Sequence, residues 1–189
     1  QMKESADLGF KNWNYLEREI PSLQMTACFF PRRIQGEWDQ QDNWMNYMNQ
    51  IADYKNTHIY LAMSDWVVSR NELTEKLISL RQLGTQISVI AKNKADLQVL
   101  EKLQILKELG AHVLILDMEK NGYNMHSKYM LIDGNFEGKY QQVVINGTNN
   151  FTTNALRNNN ECILIIRDSK IFEAYLANFN AIKATFVEN

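Results

Sequence analysis

The hydrophobic positions of this chain follow two rhythms. Between residues 26 and 116, short apolar runs with strand character take turns with longer segments whose apolar residues recur every three or four positions. Thr26–Phe30 reads as a buried strand, stopped by Pro31. From Asp42 to Lys55, Trp44, Met45, Met48, Ile51 and Ala52 fall at helical spacing, and Thr57–Met63 is again a strand. Ser69 followed by Glu72 reads as a capping box, opening a helix to Leu83 that ends at Gly84. Gln86–Ala91 is then a strand, Lys94–Leu109 a helix ending at Gly110, and Ala111–Leu116 another strand.

After Asp117 the rhythm changes to three extended segments, 125–132, 141–147 and 161–167, and a closing helix from Ser169 to about Phe186. Strands alternating with helices predict parallel pairing, with the helices packed on the sheet. The chain therefore reads as an N-terminal arm (1–25) and one α/β domain (26–189), an α-β-α sandwich with a central mixed, largely parallel sheet. A hydrophobic content of 45% in 189 residues suits a single core.

Charge narrows the function little. With 20 basic and 22 acidic residues the chain has no global basic field of the kind that marks a dedicated nucleic-acid binder, although a local patch remains open. Cys28 and Cys162 cannot make a disulfide framework, and their apolar surroundings predict two buried thiols. No apolar run approaches the ~20 residues that span a bilayer. The chain opens on Gln1 rather than Met, as an excised or processed piece would, so the lack of a signal peptide leaves the compartment open.

The candidate chemistry lies in Met125-His126-Ser127-Lys128, Gly147-Thr148-Asn149-Asn150 and Glu161. Side chains alternate faces along a strand, so His126 and Lys128 point the same way. Asp133, seven positions from His126, points to the other face and is expected to pair, or to cap a turn with Gly134. Thr148 and Asn150 share parity and offer short polar groups to a phosphate oxygen. Glu161, just outside a buried strand, can orient a neighbouring histidine and raise its basicity. Together these side chains suit a phosphodiester. His126 attacks phosphorus as a neutral imidazole, giving a phosphohistidine; Lys128 and Asn150 donate to the non-bridging oxygens; Glu161 supports His126. The set requires neither metal nor cofactor, because lysine and amide donors supply the electrostatics.

This constellation resembles the signature of the phospholipase D superfamily, HxK(x)4D followed by GSxN and a downstream acidic residue. The match runs through His126, Lys128, Asp133, Gly147, Asn150 and Glu161, with Thr148 keeping the hydroxyl of the usual serine. A longer gap between Asp133 and Gly147 is assigned to a hairpin around Gly134–Tyr140. The resemblance covers about residues 26–186, with specific motifs only in 125–161. It implies the superfamily's α-β-α sandwich, two-step metal-independent hydrolysis through phosphohistidine, and a phospholipid or nucleic-acid substrate. It further implies a bacterial secreted or periplasmic protein.

The motif occurs once. In-line displacement sets the attacking nitrogen and the departing oxygen on opposite sides of phosphorus, so a second histidine must protonate the leaving group. His58 and His112 sit at the entry to parallel strands, away from the usual active-site end, and read as structural. The second histidine is therefore expected from a homodimer mate, as in the superfamily's small single-motif endonucleases, or from a second phospholipase D-like half. Without it the chain would be a non-catalytic half-domain that binds phosphate or a partner domain.

Other signals are weaker. Arg32, Arg33, Lys92 and Lys94 follow parallel strands and are candidates for phosphates flanking the scissile one. Met118–Asn124 is a loop suited to lining the entrance. The four tryptophans (Trp13, Trp38, Trp44, Trp66) read as packing residues, and the two glycosylation sequons that overlap the phosphate motif are discounted.

Overall fold

The structure is a computed structural model that describes residues 17–31, 33–34, 37–38, 40–120 and 124–187. Its strands are β1 (Arg18–Ile20), β2 (Met25–Phe30), β3 (Arg33–Ile34), β4 (Glu37–Trp38), β5 (Ile51–Ala52), β6 (His58–Met63), β7 (Gln86–Lys92), β8 (His112–Leu116), β9 (Lys128–Phe136), β10 (Lys139–Gly147) and β11 (Glu161–Ile166). The main sheet runs β1-β2-β11-β10-β9-β6-β7-β8, with β5 also paired to β9; β3 and β4 form a separate ribbon.

The sheet is mixed, as the pattern predicts, but the expectation of a largely parallel sheet is corrected. Only the β6–β7 and β7–β8 ladders are parallel. Pairings along β1, β2, β11, β10, β9 and β6 are antiparallel. Parallel pairing requires a crossover, and the crossover helices end before β9.

One face of the sheet packs against α1 (Asn43–Asn49), α2 (Asn71–Gln82) and α3 (Leu97–Glu108). Trp44, Leu77 and Leu103 from these helices meet Leu61, Val89 and Ile132 from the strands. The other face packs against α5 (Ser169–Val187), where Phe172 and Phe179 meet Tyr129, Leu131 and Val144. Alternation along β9 sorts Met130 and Ile132 to the first face and Tyr129 and Leu131 to the second. The result is an α-β-α sandwich. No helix among the described residues is long and apolar enough to cross a membrane.

Several boundaries depart from expectation for local reasons. The helix read from Asp42 to Lys55 is short, because Asp42 caps α1 by accepting from Met45 N (3.2 Å) and Ile51–Ala52 leaves to pair with β9. The Ser69–Glu72 capping box does not form. A 3-10 turn occupies Val68–Arg70; Thr153 Oγ1 donates to Ser69 Oγ, and the Glu72 carboxylate accepts from Arg70 Nε. Residues 125–127 precede β9 instead of lying within it, and a short helix, α4 (Thr153–Arg157), went unanticipated. Part of the arm joins the sheet as β1. Cys28 is buried, whereas Cys162 is only half-buried, so the expectation of two buried thiols holds for one. Trp44 and Trp66 are core residues; Trp13 and the Trp38 side chain lie outside the described residues.

The hairpin expected around Gly134–Tyr140 is present. β9 and β10 extend beyond Asp133 and turn through Glu137 and Gly138, both with positive φ (54° and 79°), as a two-residue hairpin turn demands.

Candidate functional site at one edge of the sheet

Antiparallel pairing brings the start of β9 beside the end of β6, with Lys128 opposite Met63. The same logic sets the end of β10 beside the start of β11, where Gly147 lies opposite Ile163, and Glu161 beside Phe30 at the end of β2. The parallel strands β6 and β7 end at this same edge. Segments distant in sequence therefore meet at the carboxyl ends of the parallel strands, where open α/β sheets build their sites.

Here His126 is exposed, and its imidazole makes no hydrogen bond among the described residues. Lys128 is buried (6% exposed), and its Nζ donates to the His126 carbonyl at 3.0 Å. Burial pushes the Lys128 ammonium below its ordinary pKa. Asp65 pulls it back up, Lys92 depresses it, and Glu161 raises it. Asn150 Oδ1 accepts from Ser64 Oγ at 2.7 Å, which fixes the amide and leaves its NH2 group to donate elsewhere. The three segments that carry these groups are stitched together. Ser64 N donates to Ser127 O (2.9 Å), Phe151 N to Asp65 O (3.0 Å) and Val67 N to Phe151 O (3.1 Å). The Phe151 ring packs edge-on between Trp66 and Trp44.

Other expected groups take different places. Thr148 Oγ1 accepts from Cys162 N at 3.1 Å and Thr148 N donates to Cys162 O at 3.0 Å, so this residue extends the β10–β11 ladder. Its side chain serves the loop's shape, with its hydroxyl proton still to give. Glu161 accepts from Asn159 Nδ2 at 3.0 Å and makes no hydrogen bond to His126. The shared direction expected of His126 and Lys128 does not follow from strand alternation, because His126 stands before β9. Asp133 lies at the far end of β9, in register with His58 and Gln142, and accepts from the Tyr140 hydroxyl, so it is no part of this edge. Arg32 and the Arg33 side chain lie outside the described residues. Lys94 is exposed and close to Glu119, whereas Lys92 is buried (7% exposed) at the end of β7 and pairs with Asp65 Oδ1 at 3.1 Å.

His58 and His112 sit at the opposite edge. His58 stacks on Tyr60 at 3.8 Å and bonds Ser88 Oγ at 3.0 Å; burial, reinforced by His112, pushes its pKa down to about 4. Sequence reasoning missed Ser64 and Asp65. They directly follow an apolar parallel strand, and the rule that singled out Lys92 after β7 applies to them equally.

Gly147 is set by close approach. A Cβ there would stand 2.0 Å from the Cys162 carbonyl oxygen. Gly147→Ala is expected to destabilise the fold by about 1–3 kcal/mol, the usual range for overpacking, and to shift Asn150. A urea titration checks the first effect; a loss under roughly 0.5 kcal/mol would show that the strands separate freely.

The pKa directions carry a second prediction. If protonated Lys128 is the active form, the alkaline limb of the rate profile lies below the usual lysine range. Asp65→Asn removes a charge that holds the pKa up, so the limb should move to lower pH. A limb that stays in place or rises would separate Lys128 from the rate.

The described family of PLD-like domains of cardiolipin synthase matches residues 47–183. A phospholipase D of Rickettsia conorii is 30% identical over 181 residues, covering 94% of this chain and 78% of the relative. A mitochondrial cardiolipin hydrolase of Mus musculus is 31% identical over 126 residues, 67% of this chain, and the match spans 52% of that hydrolase. Among solved structures, Nuc of Salmonella typhimurium, a phospholipase D family member, superposes with a TM-score of 0.60 at 14% identity, covering 83% of this chain and 91% of its own. NucT of Helicobacter pylori gives 0.57 at 16% identity, covering 87% and 96%. At such identities the structures establish the fold.

Proposed function

The chain belongs to the phospholipase D-like family, and from that premise we propose that it is a phosphodiesterase whose nucleophile is His126. The observation that carries this reading is the meeting of His126, Lys128 and Asn150 at one edge of the sheet, each with donor or nucleophilic capacity to spare.

The neutral imidazole of His126 attacks phosphorus as the bond to the leaving oxygen breaks, giving a phosphohistidine. Lys128 Nζ and Asn150 Nδ2 donate to the non-bridging oxygens as charge gathers there. A second histidine protonates the leaving oxygen, then takes a proton from the water that cleaves the P–N bond. His58 is at the opposite end of β6 and cannot serve. The second histidine therefore comes from another copy of this chain or from a second motif-bearing half. Glu161, bonded only to Asn159 among the described residues, is then free to orient a histidine brought by that partner.

Relatives that align over nine-tenths of the chain or more are named phospholipase D, and a formal net charge of −2 gives no global attraction for a polyanion. A lipid phosphodiester is the first substrate class to assay, with DNA and RNA beside it. Hydrolysis that survives EDTA, together with a phosphoprotein trapped by denaturant at alkaline pH and lost on acid treatment, is the expected result. Loss of turnover in EDTA would overturn the mechanism. A strict monomer without activity would support a non-catalytic half-domain instead.

A further inference from the structure

Lys92 and Lys128 are both buried, an uncommon state for lysine, and the carboxylate of Asp65 acts on both. Their side chains leave the sheet differently. Lys128 lies opposite Met63, in the layer under α1–α3, whereas Lys92 lies opposite Leu116, in the layer under α5. Strand β6 stands between them, so their backbones are about two strand spacings apart, roughly 10 Å.

Their donors are only partly used. An ammonium has three N–H groups. Lys92 directs two of them, at Asp65 Oδ1 (3.1 Å) and Asn124 Oδ1 (3.4 Å), and Lys128 directs one at the His126 carbonyl. A single phosphate held by Lys128 and Asn150 leaves the Lys92 ammonium without an anion from the substrate, paired instead to a carboxylate that is 45% exposed and able to yield. We propose that Lys92, poised on Asp65, is a second anion subsite that binds a phosphate one short linker away from the scissile phosphodiester. This rests on the phosphodiesterase reading and adds a preference for substrates that carry two neighbouring phosphates. Asp65 is the gate: it holds Lys92 in place when the subsite is empty and cedes the ammonium to the incoming anion.

The test uses two substrates with the same scissile bond: glycerol 1-(4-nitrophenyl phosphate), with and without a phosphate on the far hydroxyl. A charge-assisted contact of this kind is expected to give the two-phosphate compound a roughly 10- to 100-fold higher kcat/KM. Lys92→Met should bring that ratio close to one, mainly through KM, and Lys92→Arg should restore part of it. Asp65→Asn, which removes the competing carboxylate, should raise the ratio. A ratio that Lys92→Met leaves unchanged, or an equal loss on both compounds, overturns the subsite while the phosphodiesterase reading stands. If wild type hydrolyses neither compound, that reading fails instead. The subsite is then judged by calorimetry with glycerol 1,3-bisphosphate against glycerol 1-phosphate: at least tenfold tighter binding of the first, lost in Lys92→Met, supports it, and equal affinities overturn it. Should Lys92→Met not fold, Lys92→Arg and Asp65→Asn decide the matter by the same ratio. The same variants assayed on two-phosphate lipid vesicles and on short single-stranded DNA identify which source supplies the second phosphate.

Discussion

His126→Ala is expected to lower turnover about 10⁴-fold or more, without lowering stability. A nucleophile that forms a covalent intermediate cannot be bypassed by the donors around it, and residual rates reflect those donors alone. Stability should hold because the imidazole is exposed and makes no hydrogen bond among the described residues. The informative comparison is with Lys128→Met. That change removes a donor to the developing charge, worth roughly 10²–10³ in rate by analogy with oxyanion donors, and it still permits phosphohistidine to form. Turnover within tenfold of wild type in His126→Ala would remove this residue from the chemistry. Coincident thermal melts of the two proteins are the control.

Arg70→Met is expected to have the largest effect on stability, a loss of about 3 kcal/mol in urea unfolding. Arg70 is 2% exposed; its Nη2 donates to both carboxylate oxygens of Asp42 at 3.0 and 2.8 Å, and its Nε to Glu72 at 2.8 Å. Asp42 is 20% exposed and Glu72 43%, so the loss falls at the low end of what a broken buried pair gives. Asp42 also caps α1, and the Arg70 carbonyl accepts from Trp66 Nε1 at 3.4 Å. The pair thus ties α1 to the loop that carries Ser64 and Asp65. Activity should fall less than tenfold at temperatures where the variant is folded. A stability loss below about 1 kcal/mol would mean that the network merely breaks even.

The parts of this molecule that were legible in the sequence are those governed by local rules. Apolar runs located β2, β6, β7, β8, β10, β11 and the long helices within a few residues, because each buries a continuous face. What was illegible depends on partners far away in sequence. The capping box at Ser69 and Glu72 satisfied every local criterion, yet Arg70 claimed Glu72 for an ion pair that Asp42 completes. The helix read through Ile51 failed because β9 offered that residue a ladder. Residue types and spacing singled out His126, Lys128 and Asn150, which the fold brings to one edge of the sheet. Strand parity does not reach His126, which stands before β9, because extended spacing does not tell where hydrogen bonding to a neighbour begins. That Thr148 Oγ1 also accepts from Cys162 N could not be read, because Cys162 could not be known to lie across from it. Ser64 and Asp65 carried no motif at all; they gain meaning from the strand order, which sets β6 between β9 and β7.

The two-residue turn at Glu137 and Gly138 has a consequence for inheritance. Because β9 and β10 are antiparallel and joined at the edge remote from His126, an in-register lengthening of that hairpin adds one residue to each strand. The stretch between Asp133 and Gly147 can then grow or shrink in steps of two without moving Lys128 or Gly147 to the wrong face. A single inserted residue has to be absorbed as a bulge or it turns one strand over. Homologues should therefore differ in this interval mostly by even numbers, and a peptide grafted between Glu137 and Gly138 should leave the distant chemistry untouched.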